Sequence, residues 1–335
     1  MSLVVVKPGL SCTIQDGGRK GHRSLGVPSS GAMDPVSFRV ANLLCGNRAE
    51  EACLEITLHG LELLVEDDTL IALSGSGSEP FVDDVSLPLN RPLLVSAGSL
   101  IRFTPSPFGC RMYFAIAGGL IADRDLGSCS TYEAAGLGGI GGRRIRKEDR
   151  LHRGTPSNLS RRIADCLTRE MGKVKAGSRG ARTQDFDSME SPVILRCIAG
   201  PEWDRMDEAF REDFSMETFK VGAESNRMGI RLTGNKAVGH GFGEMVSSGV
   251  CPGTVQMAHD GTLLLLMADA QTTGGYPRIA QVAEGDFPRC AQLRPGDRVR
   301  FEPVGLQVAE GALLRQRSYI RMLGNAIRET HGREA

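Results

Sequence analysis

The sequence predicts a mainly β protein with two similar β-rich domains. Short strand-like runs recur through the first 150 residues, and Gly- and Pro-containing turns separate them every few residues. This rhythm is typical of an antiparallel barrel or sandwich. An internal repeat and a change of composition near the middle of the chain support the division into two.

The elements follow from local pattern. Asp34 suits a helix N-cap, Pro35 suits the first helical position and Gly46 suits the end, so a helix is expected over 35–45. Two further helices are expected over 202–214 and 307–330, the second broken or kinked near Gly324. The expected strands cover 3–6, 61–65, 69–73, 93–95, 100–104, 111–117, 192–198 and 262–268.

The repeat consists of three short matches in the same order. Residues 30–33 (SGAM) resemble 225–228 (SNRM), 69–73 resemble 262–266, and 98–103 resemble 296–301, each pair about 195 residues apart. The predicted organisation is a first β domain over 1–155, a polar linker or surface excursion over 156–190, a second β domain over 191–305 and a helical tail over 306–335. A cleft between two such domains would suit a ligand.

Composition excludes several classes of function. Lys plus Arg and Asp plus Glu both number 40, so net charge gives no attraction to nucleic acid or to an acidic membrane. The nine cysteines form no CxxC pair, and the six histidines are isolated, so neither a disulfide framework nor a protein-built metal site is expected. Without a signal peptide or a long apolar run, a cytoplasmic location is expected.

The stretch ADAQTTGGYPRIA, residues 268–280, is the leading candidate site. An apolar run before it predicts a strand buried on both faces, which would deliver polar side chains to its own end. The glycines allow close approach of another backbone. A polar turn that merely ends the strand fits this stretch equally well. The candidates here are Asp269, Gln271, Thr272 and Thr273 as catalytic residues, with Tyr276 and Arg278 as substrate-binding residues.

Other candidates lie elsewhere in the chain. Asp16 and Arg19 flank two glycines, where the alternative is a turn with an Asp–Arg pair. Asn226 and Arg227 lie in SNRMG, where an arginine could bind a carboxylate in bidentate fashion or simply be solvated. Gln256 precedes the buried strand and is expected to face the same space. Cys251 has no base near it in sequence, so a buried structural thiol is the favoured interpretation.

Nucleotide and biotin signals are weak. Residues 136–141 fit GxGxxG, but no strand leads into them and an arginine-rich stretch follows. The chain has no GxxxxGK[ST] phosphate loop and no biotinylation sequence. Any ATP or biotin chemistry is therefore expected to come through a different polypeptide of a complex.

Several segments together resemble one family. They are PGLSCTIQDGGRKGHRSLGVPSSGAMDP, LEITLHGLEL, GSCSTY, GLGGIGGR, ESNRMGIRL, PGTVQM, DAQTTGGYPRIA and LRPGDRVRF, in family order over residues 8–304. The chain is identified on these motifs as a member of the allophanate-hydrolase-subunit-2 family. This family is also called KipA-like, and its members are often described as the C component of 5-oxoprolinase or as biotin-dependent-carboxyltransferase-like.

The resemblance implies two cyclophilin-like β-barrel domains and two partners, namely a KipI-like protein (the B component) and the A component. It implies ATP-driven opening of 5-oxoproline to L-glutamate by a complex whose C component is inactive alone, with ATP, and biotin where it is used, bound by the partners. The alternatives are half of a biotin-dependent carboxyltransferase acting on a urea-like amide, and a non-catalytic regulator of a KipI-like protein. Three family charges are replaced here, by Cys129, Ser248 and Ala270.

Overall fold

β-strands dominate the chain, which confirms the predicted mainly β fold. The structure is a computed structural model, and it describes residues 2–168, 172–181, 191–234 and 245–332. The described residues divide into two compact units, neither of which is a single sequence range. The first unit contains residues 2–18, 34–168, 172–181 and 318–332, and the second contains 19–33, 191–234 and 245–317.

The first unit is built on two six-stranded sheets. Its strands are β1 (Ser2–Pro8), β2 (Ser11–Gln15), β3 (Cys53–Thr57), β4 (Leu61–Val65), β5 (Thr69–Gly75), β6 (Ser78–Val82), β7 (Val85–Ser86), β8 (Pro92–Val95), β9 (Leu100–Pro105), β10 (Arg111–Ile116), β11 (Arg150–His152) and β12 (Val174–Ala176). One sheet has the order β11-β1-β4-β9-β6-β7, and the other has β12-β8-β5-β10-β3-β2. Alternating Leu, Ile and Val side chains from both sheets form one buried core.

The second unit contains a closed barrel. Its strands are β13 (Val193–Ala199), β14 (Phe219–Val221), β15 (Gly229–Thr233), β16 (Ser248–Gly249), β17 (Thr254–Met257), β18 (Leu263–Leu266), β19 (Thr273–Gly274), β20 (Arg278–Val282) and β21 (Arg298–Pro303). The barrel order is β13-β20-β17-β18-β15-β14-β21, closed by the parallel pair β13–β21, while β16 and β19 form a separate two-stranded sheet. Phe214 stacks on Phe301 in the barrel core, with ring centroids 4.9 Å apart.

The helices are α1 (Pro35–Leu44), α2 (Asn158–Leu167), α3 (Glu208–Met216), α4 (Phe287–Gln292) and α5 (Leu306–Gly332). The prediction for α1 is confirmed to within one residue. The Asp34 carboxylate accepts hydrogen bonds from the backbone N–H groups of Val36 (3.0 Å) and Ser37 (2.9 Å), as an N-cap should. The helix predicted over 202–214 begins later, because Asp207 caps α3 through the N–H of Phe210.

The stretch predicted as a polar linker or surface excursion, residues 156–190, contains α2 in its first part. Ser157 caps α2, and Ile163 and Leu167 are buried with Leu70 and Leu94 of the first unit. Residues 169–171 and 182–190 of the predicted linker lie outside the described residues.

The C-terminal helix is not broken at Gly324, where the sequence pattern predicts a break or a kink. α5 continues through Gly324, which is buried, and a Cβ there would lie 3.5 Å from Leu43 Cδ2. Packing of this face therefore stabilises a helical turn that the propensity of glycine disfavours. Among the helices of the described ranges, none has the length and hydropathy needed to cross a bilayer.

Candidate functional site

Asp269 and Arg227 form a two-pronged ion pair in the second unit. Arg227 Nε lies 2.7 Å from Asp269 Oδ2, and Nη2 lies 3.1 Å from Oδ1. The Asp269 N–H also donates to the Arg227 carbonyl at 2.9 Å. Both side chains are largely buried, with 14% of the Arg227 side chain and 8% of the Asp269 side chain exposed. The pair joins the loop after β18 to the loop before β15 and fixes the guanidinium plane.

The segment 19–33 approaches this pair from a distant part of the sequence. Arg227 Nη2 donates to the Gly31 carbonyl at 2.7 Å, and the Ser30 N–H donates to the Ala268 carbonyl at 3.0 Å. The Arg23 guanidinium donates to the Val250 carbonyl. Local sequence pattern does not predict the contact between 19–33 and the ion pair. A related signal is the match between SGAM and SNRM, because these two segments contact each other through Gly31 and Arg227.

Residues 271–273 leave the barrel as a polar rim. The Val250 N–H donates to the Thr272 carbonyl at 3.0 Å, and Gly249 pairs with Thr273 between β16 and β19. Gln271 and Thr273 are exposed, and Thr272 is half-buried. Within the part of the chain that the structure describes, these three side chains make no hydrogen bond, so they are available to a ligand.

Gln256 lies beneath this rim. Its side chain is fully buried and donates from Nε2 to the Tyr276 carbonyl at 3.1 Å. Its Oε1 atom has no hydrogen-bond partner among the described residues. A Cβ on Gly274 would lie 2.6 Å from Gln256 Nε2, so glycine at 274 is what allows the amide to lie against this backbone. The Tyr276 ring meets His259 edge-on, with centroids 5.6 Å apart.

Arg278 is held by Glu202, a residue that sequence reasoning missed. Arg278 Nε and Nη2 contact the Glu202 carboxylate at 3.0 and 2.7 Å, and Nη1 donates to the Gly249 carbonyl at 3.0 Å. Hydrogen bonding to Arg278 holds the pKa of Glu202 below its ordinary value, and the same bonds raise the pKa of Arg278. Arg278 therefore braces β20 against β16, and its charge is already neutralised within the unit.

Asn226 shapes the loop that carries Arg227. The Asn226 side-chain oxygen accepts a hydrogen bond from the Met228 N–H at 2.8 Å, which closes an Asx turn. Asn226 is exposed at the loop surface, while the neighbouring Arg227 points into the ion pair. Of these two predicted ligands, the structure brings only Arg227 to Asp269.

Asp16 belongs to the first unit and is fully hydrogen-bonded there. Its carboxylate accepts from the hydroxyls of Ser128 (2.5 Å) and Ser130 (2.6 Å) and from the N–H groups of Gly18 (2.9 Å) and Cys129 (2.6 Å). Burial alone would raise the pKa of Asp16, but these four hydrogen bonds outweigh it and lower the pKa below the ordinary 3.8. Asp16 thus fixes the loop over 128–130.

Arg19 belongs to the second unit, whereas Asp16 belongs to the first. Its side chain is almost completely buried, with 1% exposed, and its N–H donates to the Ser29 carbonyl at 2.6 Å. This bond closes the base of the segment that carries Ser30 and Gly31.

The glycine-rich stretch over 136–142 is occupied by the chain's own carboxylates. The Gly138 N–H donates to Asp125 at 2.8 Å, and the Gly141 N–H donates to Asp123 at 2.8 Å. A phosphate-binding loop needs such N–H groups free for the ligand. These bonds give a physical reason to interpret the GxGxxG match as structural.

The expectation of a buried thiol at Cys251 is wrong, because Cys251 is exposed. The residue precedes β17 at the surface, where its sulfur lies 3.5 Å from Gln281 Oε1 and 3.6 Å from Thr254 Oγ1. These groups are an amide and a hydroxyl, neither of which is a general base. In the described ranges, no cluster of His, Cys, Asp and Glu could hold a metal ion.

Two of the replaced family charges occupy apolar or tightly bonded positions. Ala270 is 1% exposed and packs with Val250 and Leu266 in a small apolar cluster. Cys129 is 4% exposed, and its N–H is one of the donors to Asp16. The methyl group of Ala270 completes the packing beneath the rim, next to Asp269.

Comparison with known proteins identifies the family. Residues 25–303 match the carboxyltransferase domain, subdomain A and B, and the chain belongs to this family. It is 37% identical to the C component of the Escherichia coli 5-oxoprolinase, over 96% of this chain and 97% of that protein. It is 31% identical to the protein of the same name from Haemophilus influenzae, over 92% of each chain.

Solved structures give the same fold. The Kluyveromyces lactis urea carboxylase structure matches with a TM-score of 0.83 and 28% identity over 96% of this chain, which spans 29% of that enzyme. The structure of TTHA0988 matches with a TM-score of 0.76 and 29% identity over 90% of this chain, which spans 55% of that chain.

Proposed function

We propose that the chain is the C component of an ATP-dependent 5-oxoprolinase, which opens 5-oxoproline to L-glutamate together with partner proteins. The similarity to the E. coli 5-oxoprolinase component carries this proposal, because it extends over 96% of this chain and 97% of that one. The match to fungal urea amidolyase covers only 17% of the larger enzyme. Because the similarity extends along nearly the whole of both chains, we expect this chain to act as the corresponding component of a complex.

The polar rim suits a small cyclic amide. Hydrolysis adds a water oxygen to the ring carbonyl carbon, breaks the C–N bond and leaves the nitrogen as an amine. Such a substrate offers a carbonyl that accepts hydrogen bonds and an N–H that donates one. Gln271, Thr272 and Thr273 can supply donors to the carbonyl. Gln256 Oε1, which has no hydrogen-bond partner among the described residues, can accept from the N–H. Asp269 and Arg227 would form the fixed frame beneath them.

Donors aimed at a carbonyl matter most where negative charge develops on its oxygen. Loss of one such donor costs about 3 kcal/mol of transition-state stabilisation. The Gly138 and Gly141 N–H groups are taken by carboxylates, so this stretch does not serve as a phosphate-binding loop. We expect ATP to bind to a partner protein and the chain alone to be inactive. We expect a KipI-like protein as the B component and a further protein as the A component.

The test is reconstitution. The chain mixed with its A and B components, 5-oxoproline and ATP should release glutamate, and omission of any of them should abolish the release. Thr272→Ala should lower kcat/KM by about a hundredfold if its hydroxyl polarises the carbonyl. Thr233→Ala is the matched control, because Thr233 is an exposed threonine on β15 of the same barrel. A well-formed complex that releases no glutamate would refute the proposal.

The second candidate is half of a biotin-dependent carboxyltransferase acting on a urea-like amide. The TM-score of 0.83 against the K. lactis urea carboxylase favours it. It requires transfer of a carboxyl group from carboxybiotin to urea by the chain and its partner, which can be followed with labelled bicarbonate. Genes for a biotin carboxylase and a biotin carrier beside this one would support it, whereas a gene for the A component would support the 5-oxoprolinase.

A further inference from the structure

Ser30 has an unusual backbone conformation in the second unit. Its φ is 51°, in the left-handed region that non-glycine residues seldom adopt, and Gly31 follows with a φ of 87°. Six non-glycine residues have positive φ in the described part of the chain, and Ser30 alone among them belongs to the second unit. The two φ values match the central residues of a type I′ turn, where Asn or Gly is preferred at the first of these positions.

The Ser30 side chain adds a second cost. The residue is 9% exposed, and its hydroxyl has no hydrogen-bond partner among the described residues. A buried hydroxyl without a partner is unfavourable, because it loses its hydrogen bonds to water and gains none. Glycine would relieve both the backbone strain and the unpaired hydroxyl. The presence of serine at this position is therefore explained by its hydroxyl group and not by the backbone conformation.

The position of the turn gives that hydroxyl a context. The Ser30 N–H bonds to the carbonyl of Ala268, which directly precedes Asp269. The carbonyl of the next residue, Gly31, accepts from Arg227. Ser30 is thus hydrogen-bonded to the residue before Asp269, and Gly31 is hydrogen-bonded to Arg227 itself. The hydroxyl can rotate about a single side-chain torsion, χ1, while these backbone bonds keep the turn in place.

We infer that Ser30 belongs to the substrate-binding residues of this site. Its hydroxyl bonds to an oxygen of the small cyclic amide when the substrate is bound, and the Ser30–Gly31 turn positions the Arg227–Asp269 pair. This inference rests on the proposed 5-oxoprolinase function. Segment 19–33 then supplies a direct ligand to a site whose other polar residues come from 225–278.

The experiment uses the reconstituted complex with Ser30→Gly, which removes the hydroxyl and suits the left-handed backbone. KM for 5-oxoproline should rise about five- to tenfold with kcat nearly unchanged, because a ground-state hydrogen bond is lost. Thermal stabilisation of the complex by 5-oxoproline without ATP should weaken in parallel. Ser74→Ala is the matched control: its hydroxyl is also buried and unpaired among the described residues, but it lies on β5 of the first unit.

Each outcome decides the inference. A raised KM in Ser30→Gly, beside an unchanged Ser74→Ala, supports it. An active wild-type complex with an unchanged KM in Ser30→Gly overturns it and leaves the proposed function standing. A wild-type complex that releases no glutamate overturns both. If Ser30→Gly assembles poorly, Ser30→Ala provides the second variant, since it removes the hydroxyl, adds no other polar group and should likewise raise KM.

Discussion

Asp269 and Arg227 are more buried than most ion pairs in the described part of this chain, so breaking their pair should be costly. Asp269→Ala would leave the Arg227 guanidinium without its carboxylate at a largely buried position. We expect the free energy of unfolding to fall by about 3 kcal/mol. Urea denaturation of the isolated chain would measure this.

Asp84→Ala is the control for that prediction. Asp84 pairs with Arg102 at 3.1 Å, but the Asp84 side chain is fully exposed, so its removal should change stability by less than about 1 kcal/mol. Equal losses in the two variants would contradict the argument from burial.

Asp16 predicts a pH dependence whose sign follows from its lowered pKa. A carboxyl group with a pKa lower in the folded than in the unfolded state stabilises the protein above the unfolded value, near 3.8, and loses this contribution as pH falls through the folded value. Asp16→Asn should therefore destabilise the chain at pH 7, since an amide N–H2 would face N–H and O–H donors. The difference from wild type should shrink below pH 3.8. A difference that stays constant down to about pH 2.5 would contradict this.

At the scale of elements, β19 depends on a glycine that makes room for Gln256. Because a Cβ at 274 would lie 2.6 Å from Gln256 Nε2, Gly274→Ala should displace this amide. We expect kcat/KM of the reconstituted complex to fall at least about tenfold through loss of site geometry. Gly249→Ala is the matched control, since Gly249 lies on the partner strand β16 with no atom within 4 Å of a Cβ. Similar activities in the two variants would show that Gln256 has no part in the site.

α5 contains a glycine that packing tolerates but does not require. A Cβ on Gly324 would meet Leu43 at 3.5 Å and Arg328 at 3.7 Å, which are ordinary contacts. Gly324→Ala should raise the free energy of unfolding by up to about 1 kcal/mol through helix propensity. Gly285→Ala should instead lower the free energy of unfolding, because its Cβ would lie 2.7 Å from the Cβ of Ala312 in α5. Thermal melts of both variants would check the two signs.

Local sequence pattern predicts the helices and strands better than it predicts the contacts between residues far apart in the sequence. β4 matches the expected range over 61–65, and α1 was found from its cap, because turn and capping chemistry acts within a few residues. The break expected at Gly324 was wrong because tertiary packing outweighed propensity. The Arg227–Asp269 pair and the contact of Ser30 with Ala268 join residues far apart in sequence, and periodicity carries no signal for such contacts.

At the scale of the whole molecule, two units share one chain in an interleaved order. Residues 19–33 belong with the second unit, while the end of α5, from 318 onward, belongs with the first. Neither unit can be written as one continuous range of residues, because each contains segments that lie far apart in the sequence. The candidate site consequently depends on residues near the N-terminus, although most of its polar groups come from 225–278.

The interleaving predicts how a truncation would act. Ile327 of α5 packs against the apolar cluster of the first unit, and Arg162 donates to the Gly332 carbonyl at 2.8 Å. Deletion of 318–335 should therefore destabilise the first unit. Trp203, the one tryptophan in the sequence, packs against Phe214 of the second unit with ring centroids 5.4 Å apart, so its fluorescence reports that unit alone.

We expect the truncation to lower the urea midpoint followed by circular dichroism, with a smaller shift in the midpoint followed by Trp203 fluorescence. The two signals should separate because Ile327, the residue of this segment that packs against an apolar cluster among the described residues, contacts the first unit. Met322→Ala is the control within the same helix, since Met322 is 66% exposed and its removal should move neither midpoint. Equal shifts of both signals in the truncated chain would mean that the units unfold as one cooperative body, and that the contacts of α5 stabilise both.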